Sequence, residues 1–404
     1  MTVMALSDLC SLVAQQVDPQ SSPDDLYLGL EHLASGRMTS ETGGKAREVQ
    51  SSKYRFQPDD VLYGKLRPYL DKAVLADVGG VCTTELLVLR PKPNVDARYL
   101  AAVVHSPQFI EHAVAGTTGA QHPRTSWHHI AEFSLERLEP IEQSRFADFV
   151  WQVHRTLRAS EAALSCAQEL KRATMRELFT RGLRGEVQKD SELGPVPVSW
   201  GVERLGDVSL LERGRFLHRP RNEPRFYGGK TPFVQTGDVV RSGGRICNYS
   251  QTLNDDGVAI SRVFPRGTIL VTIAANIGYT GILEMDCACP DSLVGITASD
   301  RISATFLEQF LRSQQSEMDR KAPIGTQKNI NIEFLRPWPI ALPSLEEQQE
   351  ITSILDAIDA KIDLHKRKKA VLEELFRALL HKLMTGEIRV ADLDLSALDG
   401  EVTG

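Results

Sequence analysis

No uninterrupted apolar run in the sequence reaches the roughly 18 residues that a membrane-spanning helix needs, so no membrane partner is expected. The chain does not open with a basic stretch followed by an apolar one. Asp8 and Asp18 fall within Met1–Gln20, which argues against a secretory signal and for a cytoplasmic protein. Cysteine is scarce and poorly spaced for chemistry. Cys10, Cys82, Cys166, Cys247, Cys287 and Cys289 form no C-x-x-C, and no histidine pair follows at zinc spacing. The close pair Cys287 and Cys289 reads as buried free thiols. Catalytic motifs are missing as well. There is no Asn-Pro-Pro-Tyr-like adenine methylation motif, no G-x-G-x-x-G, and no nuclease-like cluster of carboxylates with lysine. Gly228-Gly229-Lys230-Thr231 looks like the end of a phosphate loop, but Pro224 stands where that loop requires glycine. Neither a catalytic residue nor a metal site is therefore expected in this chain. Excess positive charge is lacking too. The net charge is −6 and no segment is strongly basic, so any contact with phosphates must come from local patches.

What is present is a soluble globular composition, 42% hydrophobic and 25% charged, with length enough for two ordinary domains. The chain is also written twice, at a spacing of about 205 residues. Leu178-Phe179-Thr180 with Gly182-Leu183 answers Leu383-Met384-Thr385 with Gly386, and Glu142-Gln143 answers Glu347-Gln348. Phe133 and Leu135 answer Trp338 and Ile340, Gly119 faces Gly325, Tyr99-Leu100 faces Phe306-Leu307, and Cys82 faces Cys289. Leu6 and Asp8 pair with Leu205 and Asp207. Each echo is weak alone, but they keep a common order. The polar, then Gly/Pro-punctuated segment 189–200 reads as a linker between the copies.

Each copy starts as an α+β globule. Apolar runs of strand length, such as Glu85–Leu89, Thr268–Ile273 and Arg336–Ile340, are separated by Gly, Pro and Asn/Asp turns. A shorter helix is expected in each, over Asp96–His112 and Ser303–Met318. Each copy then ends in a long helix. Ser344 and Glu347 are spaced as a capping box. Beyond them, alternating steps of four and three give Ile351, Leu355, Ile358, Ile362, His365, Lys369, Leu372, Phe376, Leu379 and Leu383, with Gly386 suited to end the helix. The equivalent register in the first copy is Phe146, Val150, Val153, Leu157, Ser160, Leu164, Ala167, Lys171, Thr174 and Leu178. Both stripes turn polar at the same level, at Ser160 and His365. Each helix of this kind would be roughly 50–60 Å long at 1.5 Å per residue, which exceeds one domain's diameter. Because a whole globule lies between them in sequence, antiparallel pairing is expected. The boundaries read as 1–140 for the first globule, 141–188 for the central helix, 189–342 for the second globule, 343–388 for the last helix and 389–404 for a polar tail. Two similar globules on such rods have the form of a caliper, able to span patches on a duplex roughly ten base pairs apart.

Candidate DNA contacts sit on loops. Arg213, Arg215, His218, Arg219, Arg221 and Arg225 form an unusually basic loop, interleaved with Phe216 and Tyr227. Arginine contacts phosphates and can read guanine with two hydrogen bonds; the bland alternative is a solvated loop. Gln327, Lys328 and Asn329 could bond adenine and phosphate, or form only a turn before a strand. Asn276 and Tyr279 follow an apolar strand in a Gly-containing turn. In the first copy, Lys65 and Arg67, with Tyr69 beside them, occupy the place of Thr272–Asn276, and are either phosphate contacts or a surface hairpin. Gln121, His122, Arg124, Thr125 and Ser126 lead a polar loop that continues through Trp127, His128 and His129. No Asp or Cys joins those histidines in a recognisable pattern, so neither metal binding nor catalysis is expected of them. The run Lys366–Lys369 reads as a solvated or partner-facing face. Two other classes compete with DNA reading: a helical scaffold without DNA specificity, and a stand-alone enzyme.

The chain resembles the specificity subunit of type I restriction-modification enzymes along essentially its whole length. The residues that carry the resemblance are Ala341–Gln348 at the start of the last helix, Leu383–Gly386 at its end, Leu193–Pro197 two residues before Trp200, and Gly325–Ile330. The start of the first helix, Leu138–Gln143, lacks the proline-flanked form of the second. The resemblance implies two tandem target recognition domains, each reading a short half-site of double-stranded DNA, with paired helices setting a non-specific gap. It implies docking of two modification subunits that methylate adenine with S-adenosylmethionine, joined by restriction subunits that use ATP and Mg. It implies no cofactor in this chain.

Overall fold

The computed structural model describes residues 3–323 and 328–389, which form a mixed α+β structure. They divide into two compact units. One takes the chain up to Leu164 and resumes at Leu364; the other is Ser165–Asp363.

In the first unit, a four-stranded antiparallel sheet runs in the order Cys10–Val13, Leu86–Pro91, Val61–Gly64, Ala73–Leu75. Its central strand is apolar on both faces because both faces are covered. Leu87 and Leu89 join the core beneath the helices, while Leu86 and Val88 face a second, smaller core. This is the two-residue period of a strand sorting alternate side chains to opposite layers. The second unit repeats the order with Ser209–Arg213, Leu293–Ala298, Ile269–Thr272 and Thr280–Leu283, and adds Arg245–Ile246 at the edge. The sorting repeats too. Val294, Ile296, Ile269 and Val271 face the helices, and Leu293 and Leu270 face away. A two-stranded ribbon closes each unit, Val3–Ala5 with Ser134–Glu136 and Gly201–Arg204 with Pro339–Leu342. The expected strand over Arg336–Ile340 is therefore displaced. Asn331 caps a one-turn helix, Ile332–Leu335, and the strand begins only at Pro339.

The single short helix expected in each unit is two. Asp96 caps Ala97–Val104, and Ser106 followed by Pro107 starts a fresh helix, Pro107–Ala115. Proline at that position has no N–H to donate back into the preceding turn, so the first helix ends there. In the second unit the break falls at Gln314, between Ala304–Ser313 and Gln315–Lys321.

Gln143 and Gln348, the glutamines of the repeated Glu-Gln pair, do the same thing in both units. Each is buried near the start of a long helix. Gln143 Oε1 accepts from the backbone N–H of Asp96 at 3.2 Å, and its Nε2 donates to Leu138 O at 3.0 Å. Gln348 Oε1 accepts from the backbone N–H of Ser303 at 2.7 Å, and its Nε2 donates to Pro343 O at 3.0 Å. One amide thus fastens the start of a short helix to the start of a long one. The first long helix, despite its different lead-in, still begins on a proline: it runs Pro140–Arg181, and the second Leu345–Met384. Ser344 Oγ accepts from Glu347 N as a cap. The Glu347 carboxylate does not turn back to close the box; it accepts from Leu183 N and Trp200 Nε1 instead.

Both helices are unbroken, and within each unit their segments pair antiparallel. In the first unit the His154 ring lies 5.9 Å from that of Phe376, and Glu161 meets Lys369 at 3.3 Å: seven residues forward on one helix, seven back on the other. Val150 and Val153 pack into one core with Phe376 and Leu379; Leu157 and Leu372 are also buried. In the second unit Ile351 and Leu355 pack with Met175, Leu178 and Phe179, and Ile362 is buried. Leu164 and Ile358 are half-buried. The polar interruption of the first stripe is real: Ser160 is buried. At the stripe position Lys171, the ammonium is held by both Asp359 oxygens at 2.5 and 2.6 Å.

Candidate nucleic-acid interface

Two of the three patches nominated in the second copy meet at one place, which Asn276 and Tyr279 do not line. A cleft of about 340 Å³ is lined by Arg213 and Arg221 from the basic loop, Ile273 and Ala274 just past the strand Ile269–Thr272, and Asn329, with Ser292, Asp291, Asn331 and Phe334 among the other wall residues. The backbone explains the convergence. After Ile269–Thr272 the chain turns sharply at Ala275, whose φ is +63°. Ala274 then bridges to Asn329, and Ile330 N donates to Ile273 O at 2.9 Å. An alanine in the left-handed region costs about 1–2 kcal/mol. Such strain is retained where surrounding structure enforces it, commonly at binding sites.

The basic loop is less free than its sequence suggests. Arg213 Nε donates to Asp291 O at 2.7 Å, and the Asp291 carboxylate accepts from Arg219 at 2.8 Å and from Arg221. Arg215 donates to Ser261 O at 3.0 Å. The Arg225 guanidinium lies 4.5 Å from the Phe226 ring centre, and the His218 ring packs 4.8 Å from the same ring. Phe216 is buried with Phe226, and Tyr227 packs half-buried against them, so these rings hold the loop to the unit. Asn276 is exposed in the turn, and its carbonyl accepts from the Thr272 hydroxyl. Tyr279 is exposed one strand step away. Lys328 pairs with Asp319 at 2.9 Å, and Asn329 is exposed. Gln327 lies outside the described residues, as do Gly325 and Thr326.

The first unit builds the same turn from different residues. After Val61–Gly64 the chain turns at Arg67, with φ +51°. Leu66 bridges to Arg124, and Thr125 N donates to Lys65 O at 3.0 Å. Lys65, Arg67 and Arg124 are thus brought together at the position that holds Ile273, Ala275 and Asn329 in the second unit. Arg124 Nε donates to Glu85 at 2.9 Å. Gln121 and His122 are exposed at the tip. Two residues named for this surface do other work. Thr125 is only 3% exposed, and Ser126 caps the helix Trp127–Ile130 by accepting from His129 N. Both are polar residues of a loop in the sequence, and only the fold shows them turned inward or engaged. His129 stacks on His112 at 4.2 Å, and each ring donates its Nε2–H to the other's backbone carbonyl, at 2.9 and 2.7 Å.

Sequence reasoning passed over Asp291, Glu85 and Asn331. The first two are single acidic residues in turns, which nothing in a lone sequence distinguishes from surface carboxylates. Gly228–Thr231 lies in the strand Tyr227–Phe233, not in a phosphate loop. Cys287 is buried on a strand, and burial pushes its thiol up to about 12.

Residues 197–374 match the family described as the type I restriction modification DNA specificity domain. A Methanocaldococcus jannaschii protein described as a type I restriction enzyme MjaVIII specificity subunit is 26% identical over 332 residues, covering 78% of this chain and 76% of that one. A crystal structure of a type I restriction-modification S subunit from M. genitalium has the same fold, with a TM-score of 0.62 at 14% identity over 95% of this chain and 96% of that one. So does a chain from a study of complex assembly and conformational transition of the type I R-M system, with a TM-score of 0.61 at 20% identity over 96% and 98%.

Proposed function

We propose that this chain, a type I restriction-modification specificity subunit that recognises a DNA target, works as a ruler that reads two half-sites on one duplex. Residues 1–140 and 189–342 are the two target recognition domains, and 141–188 and 343–388 carry the two long helices that pair antiparallel. One observation carries the reading: the same strand order ends, in both units, in the same strained turn bridged to a polar loop. A scaffold has no use for two such loops built from unrelated polar residues.

In this reading Arg213, Arg215, His218, Arg219, Arg221, Arg225, Asn276, Tyr279, Lys328 and Asn329 face one half-site. Lys65, Arg67, Gln121, His122 and Arg124 face the other. Arginine forks suit guanine O6 and N7, and asparagine suits adenine N6 and N7. The chain is a non-catalytic partner. Two modification subunits supply adenine methylation with S-adenosylmethionine, and restriction subunits supply ATP- and Mg-dependent cleavage. The segments 141–188 and 343–388 offer these subunits their docking faces.

Binding of the assembled complex to random-sequence duplex, titrated with salt, tests the reading against a scaffold. Each phosphate neutralised contributes about −0.9 to the slope of log K against log salt. A negative slope of several units is expected. Absent or salt-independent binding would favour the scaffold.

A further inference from the structure

Asp291 lies in the turn between the strands Cys287–Cys289 and Leu293–Ala298 and grips three arginines. Its carboxylate takes Arg219 and Arg221, and its backbone carbonyl takes Arg213. A second Arg219 nitrogen donates to Phe216 O and His218 O at 2.6 and 2.8 Å. Arginines from a strand end and from a loop, more than sixty positions away in sequence, are thus held as one set on the cleft wall. The first unit has a counterpart. The turn before its central strand carries Glu85, whose carboxylate holds Arg124 of the opposite loop. The two loops share no sequence; what recurs is a carboxylate just ahead of the central strand, gripping an arginine beside the strained turn.

Stability is a poor explanation for this grip. The partners are partly exposed, and ion pairs of that kind contribute little. Its effect on the arginines is larger. An ungripped guanidinium can swing to any phosphate in reach, whereas a fixed fork presents its N–H groups in one direction, as bidentate recognition requires. The carboxylate also offsets positive charge in the cleft, which weakens sequence-independent binding.

We infer that Asp291 is a positioning residue for sequence discrimination: it withholds Arg219 and Arg221 from indiscriminate phosphate contact and fixes their direction toward base edges. The inference rests on the DNA-reading function proposed above. Its test is Asp291→Asn in the full chain, assembled with its modification subunits. Two quantities are measured: salt-titrated binding to random duplex, and the motif enriched from a randomised duplex library. Releasing two arginines adds up to about two phosphate contacts, so affinity for random duplex should fall about tenfold more between 50 and 200 mM salt than in the parent. The enriched motif should lose definition in one half only. A carboxylate with a merely structural role would not steepen the salt dependence. An unchanged slope with both halves still sharp overturns the inference and leaves the DNA-reading function standing. A parent complex that enriches no motif overturns that function itself. Should Asp291→Asn fail to fold, Arg219→Gln/Arg221→Gln decides: the same half of the motif should blur, and a motif that stays sharp overturns the inference.

Discussion

Inserting seven residues into both long helices, after Leu164 and after His365, is expected to move the preferred gap between half-sites by about three base pairs. Seven residues keep the hydrophobic seam in phase, since the stripe repeats every seven. They lengthen a helix by about 10 Å at 1.5 Å per residue, and a duplex rises about 3.4 Å per base pair. The antiparallel pairing makes these two insertion points face one another, judging from Glu161 against Lys369 in one unit and Lys171 against Asp359 in the other. Three base pairs also turn the half-sites by roughly 100° about the duplex axis, given 10–10.5 base pairs per turn. Affinity should therefore fall even at the new optimum. Motif enrichment from a library with variable gap lengths reads the shift directly. A gap preference that does not move would show that the helices do not set the spacing.

Asp359→Ala should destabilise the second unit by about 2–3 kcal/mol, read as a lower denaturant midpoint. Lys171 is buried, and that burial, with Arg312 nearby, holds its ammonium below the usual lysine range. Asp359 is the group that keeps it charged at tolerable cost. Removing one partner of a buried pair costs about 3–5 kcal/mol because the other charge is stranded. Asp359 is about one-third exposed, which brings the expectation below that range. Lys171→Met with Asp359→Leu should recover most of the loss, since an apolar pair of similar volume fits a seam of this kind. Failure of the double substitution to recover stability would mean that the pair also fixes the register of the two helices.

What the sequence made legible follows from periodicity. The long helices could be read because a mostly apolar stripe runs through ten positions without proline or glycine, and its apolar positions are those that pack, from Val150 to Leu379. The repeat could be read because paired residues such as Gln143 and Gln348 have the same task in both units. The short helices were misjudged because a break at Ser106-Pro107 interrupts an otherwise continuous apolar pattern. The loops were harder. Arg213 and Arg219 are conspicuous as cations, but the residue that determines their direction, Asp291, lies more than seventy positions away. Thr125 and Ser126 looked available because a polar loop residue and an inward-facing one are spelled alike. Contacts of that range are set by the strand order, which no local pattern encodes.

The proposed function requires one chain to read two patches of sequence at a constant gap. Mapping methylated adenines across the chromosome of a cell that expresses this chain with the modification subunits proposed for it is the decisive experiment. A single motif is expected, in two defined parts separated by a constant number of unread positions, with a modified adenine in each part. A motif in one continuous piece, or two parts at variable separation, would contradict it.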